Sequence, residues 1–136
     1  VCGGYVDFAL PKSSVERFDP WLNSWTLDAP MAMPALMPAA AVSVGKIFVC
    51  DDFFIQCFDP AGPAWTLLSI ELPQQRGVAM AAVARRLYIF GGRADPHSFE
   101  APGALASSFS VDLEGNTRWL LPNMQEKRLR CTIARL

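Results

Sequence analysis

One short pattern occurs twice in this sequence at a fixed spacing. Phe18-Asp19-Pro20 and Phe58-Asp59-Pro60 are each followed by four residues and then a tryptophan, Trp25 or Trp65, and the two copies lie 40 residues apart. An internal repeat constrains the fold more than any other feature, because each copy must form the same supersecondary unit.

A looser third copy and a second signal extend the repeat over the chain. Val111-Asp112 leads to Trp119 with one residue more between the aspartate and the tryptophan. Before each copy, an apolar run ends in a small or turn-forming pair. These pairs are Gly3-Gly4, Asp51-Asp52 and Gly91-Gly92. The chain therefore contains about three copies of one unit.

This order of motifs resembles the kelch repeat, which has about 50 residues and folds as one blade of a β-propeller. The resemblance covers nearly the whole chain and implies an all-β fold, a kelch-type β-propeller sector of four-stranded antiparallel blades. The residues that form the structural repeat motif are Gly3, Gly4, Phe18, Asp19, Trp25, Phe58, Asp59, Trp65, Tyr88, Gly91, Gly92, Asp112 and Trp119.

Strand and turn signals divide this single kelch-repeat region, residues 1–136, into blades. Residues 1–28 are predicted to supply strands two to four of a partial blade, 38–68 and 78–121 two complete blades, and 128–136 the first strand of a further blade. Propellers typically need about four to eight blades to close. The sector is thus incomplete as a single chain, and we expect either a fragment of a longer propeller or a homodimer that closes a six-bladed ring.

Three details of the repeat predict local structure. Trp25, Trp65 and Trp119 are in phase with the repeat and should pack between blades, whereas Trp21 lies outside the pattern in a turn and should be exposed. Asp51-Asp52 replaces the expected glycine pair and predicts an altered corner. A metal site there is disfavoured, because neighbouring side chains in a strand point to opposite faces.

Composition excludes several classes of function. Twelve basic and thirteen acidic residues give a net charge of −1, so the chain lacks the basic surface that binds nucleic acid. The apolar stretch from Ala29 to Gly45 contains three prolines and is too short for a membrane helix. Four cysteines without C-x-x-C spacing and one histidine make no zinc site, so we predict no metal and no cofactor. Unpaired buried cysteines favour a cytoplasmic or nuclear location.

In kelch propellers, loops on one face grip the partner. By position these loops are residues 6–13, 29–37, 69–77, 93–105 and 122–127. Arg76 and Arg128 lie where the family often places an arginine after a crossover, a position filled by Leu36 or Met37 in the first crossover. Partner-binding candidates are Arg76, Arg93, Arg128, His97 and Trp21. The arginines and His97 could bind an acidic peptide, or the arginines could instead brace blade edges.

We therefore predict a non-catalytic protein-protein interaction module. The resemblance adds a finer expectation, a ubiquitin-ligase substrate adaptor beside a BTB or F-box domain. Two alternatives stay open. One is part of a kelch-type oxidase or sugar-acting enzyme whose catalytic residues lie outside this chain, because copper would need several ligands and the chain offers only His97, Tyr5 and Tyr88. The other is a scaffold or assembly subunit.

Overall fold

Antiparallel β-strands form the regular structure of the computed structural model, which describes residues 1–6, 10–52, 54–62, 64–94 and 103–134. Within these residues the strands are β1 (Tyr5–Val6), β2 (Leu10–Pro11), β3 (Val15–Asp19), β4 (Ser24–Asp28), β5 (Ala39–Ser43), β6 (Lys46–Asp51), β7 (Phe54–Phe58), β8 (Trp65–Leu67), β9 (Ala79–Val83), β10 (Arg86–Phe90), β11 (Ser108–Asp112) and β12 (Thr117–Leu121).

Two four-stranded sheets have their strands in chain order. Strands β5 to β8 form one sheet, here blade 2, and β9 to β12 form the next, blade 3. The pair β3-β4, with Cys2 bridged to Val15, forms part of blade 1, and β1-β2 is a separate short hairpin. The predicted all-β fold of four-stranded antiparallel blades is confirmed.

The innermost strands β5 and β9 are rich in small residues and lie side by side. Ser43 Oγ donates a hydrogen bond to the Ala84 carbonyl across this contact, at 2.5 Å. Strand pairing places the β5–β6 turn at Val44-Gly45 and the β9–β10 turn at Ala84-Arg85. Positive φ at Val44, Gly45 and Ala84 gives these tight turns the backbone twist that a hairpin requires.

The core consists of two layers between blades. Blades 2 and 3 enclose the larger layer, and blades 1 and 2 enclose a smaller one with Val15, Met31, Ala35, Val49 and Trp65 at its centre. Because blade 2 is covered on both faces, its strands read as nearly continuous apolar runs.

The cysteines fit this packing. Cys50 and Cys57 are buried in the larger layer, as predicted, while Cys2 and Cys131 are half-buried and none of the four is in a disulfide. Burial raises the pKa of Cys50 to about 12, so its thiol stays protonated.

Among the three repeat tryptophans, Trp65 is buried between two blades of the described chain. Trp65 is 6% exposed and its Nε1 donates to the Ala29 carbonyl at 3.0 Å. Trp25 is 55% exposed, packs against Phe18 with tilted rings and 5.2 Å between their centroids, and lines a cavity together with Phe58 and Trp65 of blade 2. The interblade prediction is confirmed for Trp65 and stays a prediction for Trp25.

Trp119 differs for a reason of register. Trp65 pairs across its hairpin with Phe58, but the extra residue before Trp119 puts Arg118 opposite Val111, the counterpart of Phe58. A shift of one residue turns a side chain to the other face of the sheet. Trp119 therefore points away from blade 2 and is 56% exposed, and its packing between blades stays a prediction.

The outer parts of the predicted blade pattern are less regular than expected. The second strand of blade 1 is reduced to the Cys2–Val15 bridge, because only Val1 and Cys2 precede the corner at Gly3-Gly4, whereas the five residues of β10 precede the same corner at Gly91-Gly92. The strand predicted at 128–136 is absent from its described part, 128–134, where Arg128 forms only an isolated bridge. A first strand needs a second strand beside it, and the described residues supply none there.

Candidate functional site: the loop face

Antiparallel strands place successive connections at opposite ends of each blade. The loops after β6 and β10 and the crossovers between blades lie at one end, here named the loop face, and the hairpins of β5–β6, β7–β8 and their repeats lie at the other, the turn face. Arg76, Arg93 and Arg128 belong to the loop face, whereas Trp21 lies in a hairpin of the turn face. The predicted residues therefore do not form one site, and His97 lies outside the described residues.

Trp21 projects from a well-fixed turn. It is 94% exposed, as predicted. Asp19 Oδ1 accepts hydrogen bonds from the backbone N–H groups of Trp21, at 2.8 Å, and Leu22, at 3.1 Å. Asp59 and Asp112 accept equivalent bonds in their own turns. The motif aspartate thus has the same role in every copy, which is to cap the turn after its strand.

On the loop face, glycine corners dock the crossovers through backbone contacts. Gly92 N–H donates to the Arg128 carbonyl at 2.9 Å, and Gly4 N–H donates to the Ala35 carbonyl at 2.9 Å. A Cβ added at Gly91 would lie 2.4 Å from the Arg128 carbonyl oxygen. Only glycine allows this approach, since no real Cβ contact is so short.

The same register corrects the predicted arginine position. Ala35 pairs with Lys12 as Arg128 pairs with Leu105, so Ala35 is the counterpart of Arg128, and neither of the two residues after Ala35 is. Ala35 is fully buried in the layer between blades 1 and 2. The position has no room for a long charged side chain, which explains the missing arginine.

The Asp51-Asp52 corner is built differently, as the sequence predicts. Asp52 has a φ of +54°. The φ of Asp51 is not positive, unlike that of Gly3 and Gly91, which occupy the same place in the other two corners. Asp51 Oδ2 accepts the backbone N–H of Leu36 at 2.5 Å and lies 3.4 Å from the N–H of Met37. The crossover from blade 1 therefore docks on a carboxylate.

Asp52 holds the other crossover. Its Oδ2 accepts hydrogen bonds from Arg76 Nε, at 3.2 Å, and Nη2, at 2.9 Å, and its carbonyl accepts the Gln75 N–H at 3.2 Å. Both aspartates are buried. This geometry supports the bracing interpretation for Arg76.

The buried position of Asp51 makes a negative charge on its carboxyl group unfavourable. Burial raises the pKa of Asp51, and the neighbouring charge of Asp52 acts in the same direction. The N–H groups of Leu36 and Met37 and the charge of Arg76 partly offset that effect.

The other two predicted arginines have different environments. Arg93 is 2% exposed, and its backbone N–H and carbonyl both pair with Arg76 at 3.0 Å. Arg128 is exposed and forms a 2.9 Å ion pair with Glu126. Since exposed pairs contribute little, Arg128 can exchange Glu126 for a partner's carboxylate, whereas Arg93 is covered.

A depression of about 300 Å³ lies on the loop face where the crossovers meet. Its lining is Tyr5, Leu36, Met37, Pro38, Val78, Arg130 and Cys131. Arg130 is exposed, and within the described residues no carboxylate pairs with its guanidinium. Its backbone N–H donates to the Gly77 carbonyl at 2.8 Å, which fixes its position.

Sequence reasoning missed Arg130 and Tyr5 as binding candidates. The available signal was the second arginine of Arg128-Leu129-Arg130, which follows a crossover, but its place in a predicted strand concealed it.

Among the described residues there is no cluster of three or more metal-binding side chains. The same residues contain no helix suited to spanning a membrane.

Comparison with known proteins agrees with this architecture. Residues 1–32 match the family model of the Kelch motif. Kelch-like protein 25 of Xenopus tropicalis is 32% identical over 149 residues, which covers 96% of this chain and 24% of that protein. An F-box/kelch-repeat protein of Arabidopsis thaliana is 27% identical over 114 residues, covering 78% of this chain and 28% of that protein.

A solved structure shows the same fold. The structure of YjhT superposes with a TM-score of 0.70 at 16% identity, covering 90% of this chain and 47% of YjhT. The fold is thus a sector of a β-propeller. With the motif match and the relatives, it places the chain in the kelch-repeat family. The chain spans about a quarter of the length of these two relatives.

Proposed function

We propose that the chain is a non-catalytic protein-interaction module that binds an acidic segment of a partner protein on its loop face. The observation that carries the proposal is Arg130, whose exposed guanidinium stands beside the loop-face depression and has no carboxylate partner in the described part of the chain. Tyr5 lies on the rim of the same depression.

The chemistry of the depression fits such a segment. Arginine binds a carboxylate through two parallel hydrogen bonds. The aliphatic and thioether side chains of Leu36, Met37 and Val78, which are part of the lining, offer apolar contacts to a neighbouring side chain of the partner. Arg128 adds a second exposed guanidinium two residues away. A short segment with an acidic residue next to an apolar one matches both features.

A finer proposal concerns the whole protein. Substrate adaptors of ubiquitin ligases combine a kelch propeller with a BTB or F-box domain in the family that the sequence resembles, and the name of the Arabidopsis relative includes an F-box. We propose that this chain is the substrate-binding part of such an adaptor. Co-purification of the full-length protein with a cullin ligase supports this role, and absence of any such association refutes it.

A closed homodimer is a further proposal about assembly. Two copies would give a six-bladed ring, and the chain covers 47% of YjhT, about half of a solved neighbour of the same fold. Light scattering on the 136-residue chain tests it. A mass of twice 14.9 kDa supports the closed dimer, and a monomer refutes it.

Imaging of the tagged full-length protein tests the proposed cytoplasmic or nuclear location.

Fluorescence polarisation tests the binding site directly. The probes are labelled ten-residue peptides with a central leucine flanked by either aspartates or asparagines. We expect the aspartate peptide to bind more tightly, and Arg130→Ala to weaken it about tenfold, the equivalent of about 1.4 kcal/mol. Arg118→Ala is the matched control, since Arg118 is exposed on β12 away from the depression. Equal binding of both peptides, or an equal loss in both variants, refutes the proposal.

A further inference from the structure

The Asp51-Asp52 corner joins the two crossovers that flank blade 2. Asp51 holds the β4–β5 crossover, residues 29–38, through the N–H groups of Leu36 and Met37. Asp52 holds the β8–β9 crossover, residues 68–78, through Arg76. The two contacts are made by adjacent residues, so one corner fixes both segments.

The glycine corners of blades 1 and 3 achieve docking without a titratable group. There a glycine N–H donates to a crossover carbonyl, at Gly4 and at Gly92, and neither partner changes charge with pH. At blade 2 the acceptor is instead a carboxylate, which makes a hydrogen bond about twice as strong when ionised as a neutral acceptor does. Only the blade 2 corner, of these three, can therefore weaken its hold on a crossover by taking up a proton.

We propose that Asp51 and Asp52 form a carboxylate clasp, in which proton uptake by Asp51 loosens the β4–β5 crossover and so reshapes the loop-face depression. Leu36 and Met37, whose N–H groups Asp51 accepts, also line that depression. The consequence for partner binding rests on the proposed function. The clasp itself does not, because it depends only on contacts within the chain.

The charged groups around Asp51 define when it takes up the proton. Asp52 lies beside it in the chain and repels its charge, and Arg76 attracts it from the β8–β9 crossover. The β4–β5 crossover contributes no titratable side chain, since residues 29–38 contain only alanine, proline, methionine and leucine.

Proton uptake by Asp51 affects the stability of the whole chain differently from its local contact with the crossover. Because the pKa of Asp51 is raised in the folded chain, folded Asp51 takes up its proton more readily than unfolded Asp51. Its contribution to stability therefore becomes more favourable as the pH falls through the folded pKa. Proton uptake by Asp51 therefore releases the crossover locally and does not promote unfolding of the whole chain.

Nuclear magnetic resonance of the ¹⁵N-labelled full chain tests the clasp. As the pH falls from about 7 toward about 4, the ordinary aspartate range, we expect the amide resonances of Leu36 and Met37 to shift with one common midpoint. Asp51→Asn keeps an acceptor oxygen but cannot ionise, and should abolish that transition. The amides of Trp21 and Leu22, which are bonded to Asp19 and lie far from the clasp on the turn face, should have the same chemical shifts in both proteins at every pH. Absence of a Leu36 and Met37 transition, or its survival in Asp51→Asn, overturns the proposal.

Hydrogen exchange supplies a second readout with a control in the same crossover. Met33 N–H donates to the neutral side-chain oxygen of Gln56 at 2.8 Å. After correction for intrinsic rates, protection of Leu36 should fall about tenfold on proton uptake, while protection of Met33 should not. Equal loss at both amides means general opening and refutes the clasp. Peptide binding separates the two proposals, because a confirmed clasp without acidic-peptide binding at any pH refutes the proposed function alone.

Discussion

Lys46 and Asp59 form an ion pair on the turn face of blade 2, with 2.9 Å between Nζ and Oδ2. Arg86 and Asp112 form the same pair in blade 3, at 3.1 Å. In both blades the first residue of the second strand reaches the aspartate that caps the following hairpin. Each pair therefore ties two neighbouring turns of one blade together.

These pairs predict a pH dependence of stability. The hydrogen bond from Lys46 lowers the pKa of Asp59, and the backbone N–H of Gly115, with Arg86 next, lowers that of Asp112. A depressed folded pKa gives stability that is present above the unfolded pKa and is lost as the pH falls through the folded one. We expect the urea midpoint to fall below about pH 4, and to fall less steeply in Asp59→Asn/Asp112→Asn.

Glu71→Gln is the control for that measurement. Glu71 is exposed in the β8–β9 crossover, and within the described residues no hydrogen bond or ion pair involves its carboxylate. The slope of its urea midpoint against pH should match that of the original chain. A double variant with an unchanged slope would show that the ion pairs do not contribute.

Trp65 and Trp25 predict opposite results for the same substitution. Trp65→Ala removes a buried ring from the layer between blades 1 and 2 and its hydrogen bond to Ala29, and should lower the free energy of unfolding by about 3–5 kcal/mol. Trp25→Ala removes a ring that is more than half exposed and should cost below about 1 kcal/mol. Chemical denaturation followed by far-ultraviolet circular dichroism measures both, and equal losses would contradict the assigned packing.

Much of the fold follows from the sequence because its signals are local and repeated. The aspartate after each third strand caps a turn, so its position is visible as a spacing, and small residues mark the innermost strands β5 and β9. Alternation and turn chemistry suffice to place such elements.

The candidate site was less predictable because it depends on register and on contacts between distant segments. One extra residue turned Trp119 to the other face, which a motif match does not reveal. Arg76 and Arg128 look equivalent in sequence, yet one is bound to a buried aspartate 24 positions away and the other to an exposed glutamate. Arg130 lies beside the depression because of the path that the preceding crossover takes, and no local sequence pattern specifies that path.

Gly91 predicts a large effect from a single methyl group. Gly91→Ala would place a Cβ 2.4 Å from the Arg128 carbonyl oxygen at a φ of +66°, so backbone must move and the residue is strained as well. We expect a loss of at least about 2 kcal/mol in the free energy of unfolding. Gly62→Ala is the control, because its Cβ would meet no atom closer than 3.6 Å. Similar denaturation midpoints for the two variants would refute the docking role of the glycine corner.

Substitution of Arg76 and of Arg128 should distinguish an arginine that braces the Asp51-Asp52 corner from one that is available to bind a partner. Arg76→Ala leaves the buried Asp52 carboxylate without its guanidinium partner and should lower the free energy of unfolding by about 1–3 kcal/mol. Arg128→Ala removes an exposed pair with Glu126 and should change it by less than about 0.5 kcal/mol. Urea denaturation compares the two variants.

The same two variants should rank in reverse order for partner binding. With the acidic peptide as probe, Arg128→Ala should weaken binding without loss of stability, since its guanidinium is exposed on the loop face. Arg76→Ala should affect binding only as far as it disturbs the corner that Asp52 anchors. If Arg76→Ala abolished peptide binding while the unfolding midpoint stayed unchanged, Arg76 would be a direct contact, and the bracing role assigned to it would be wrong.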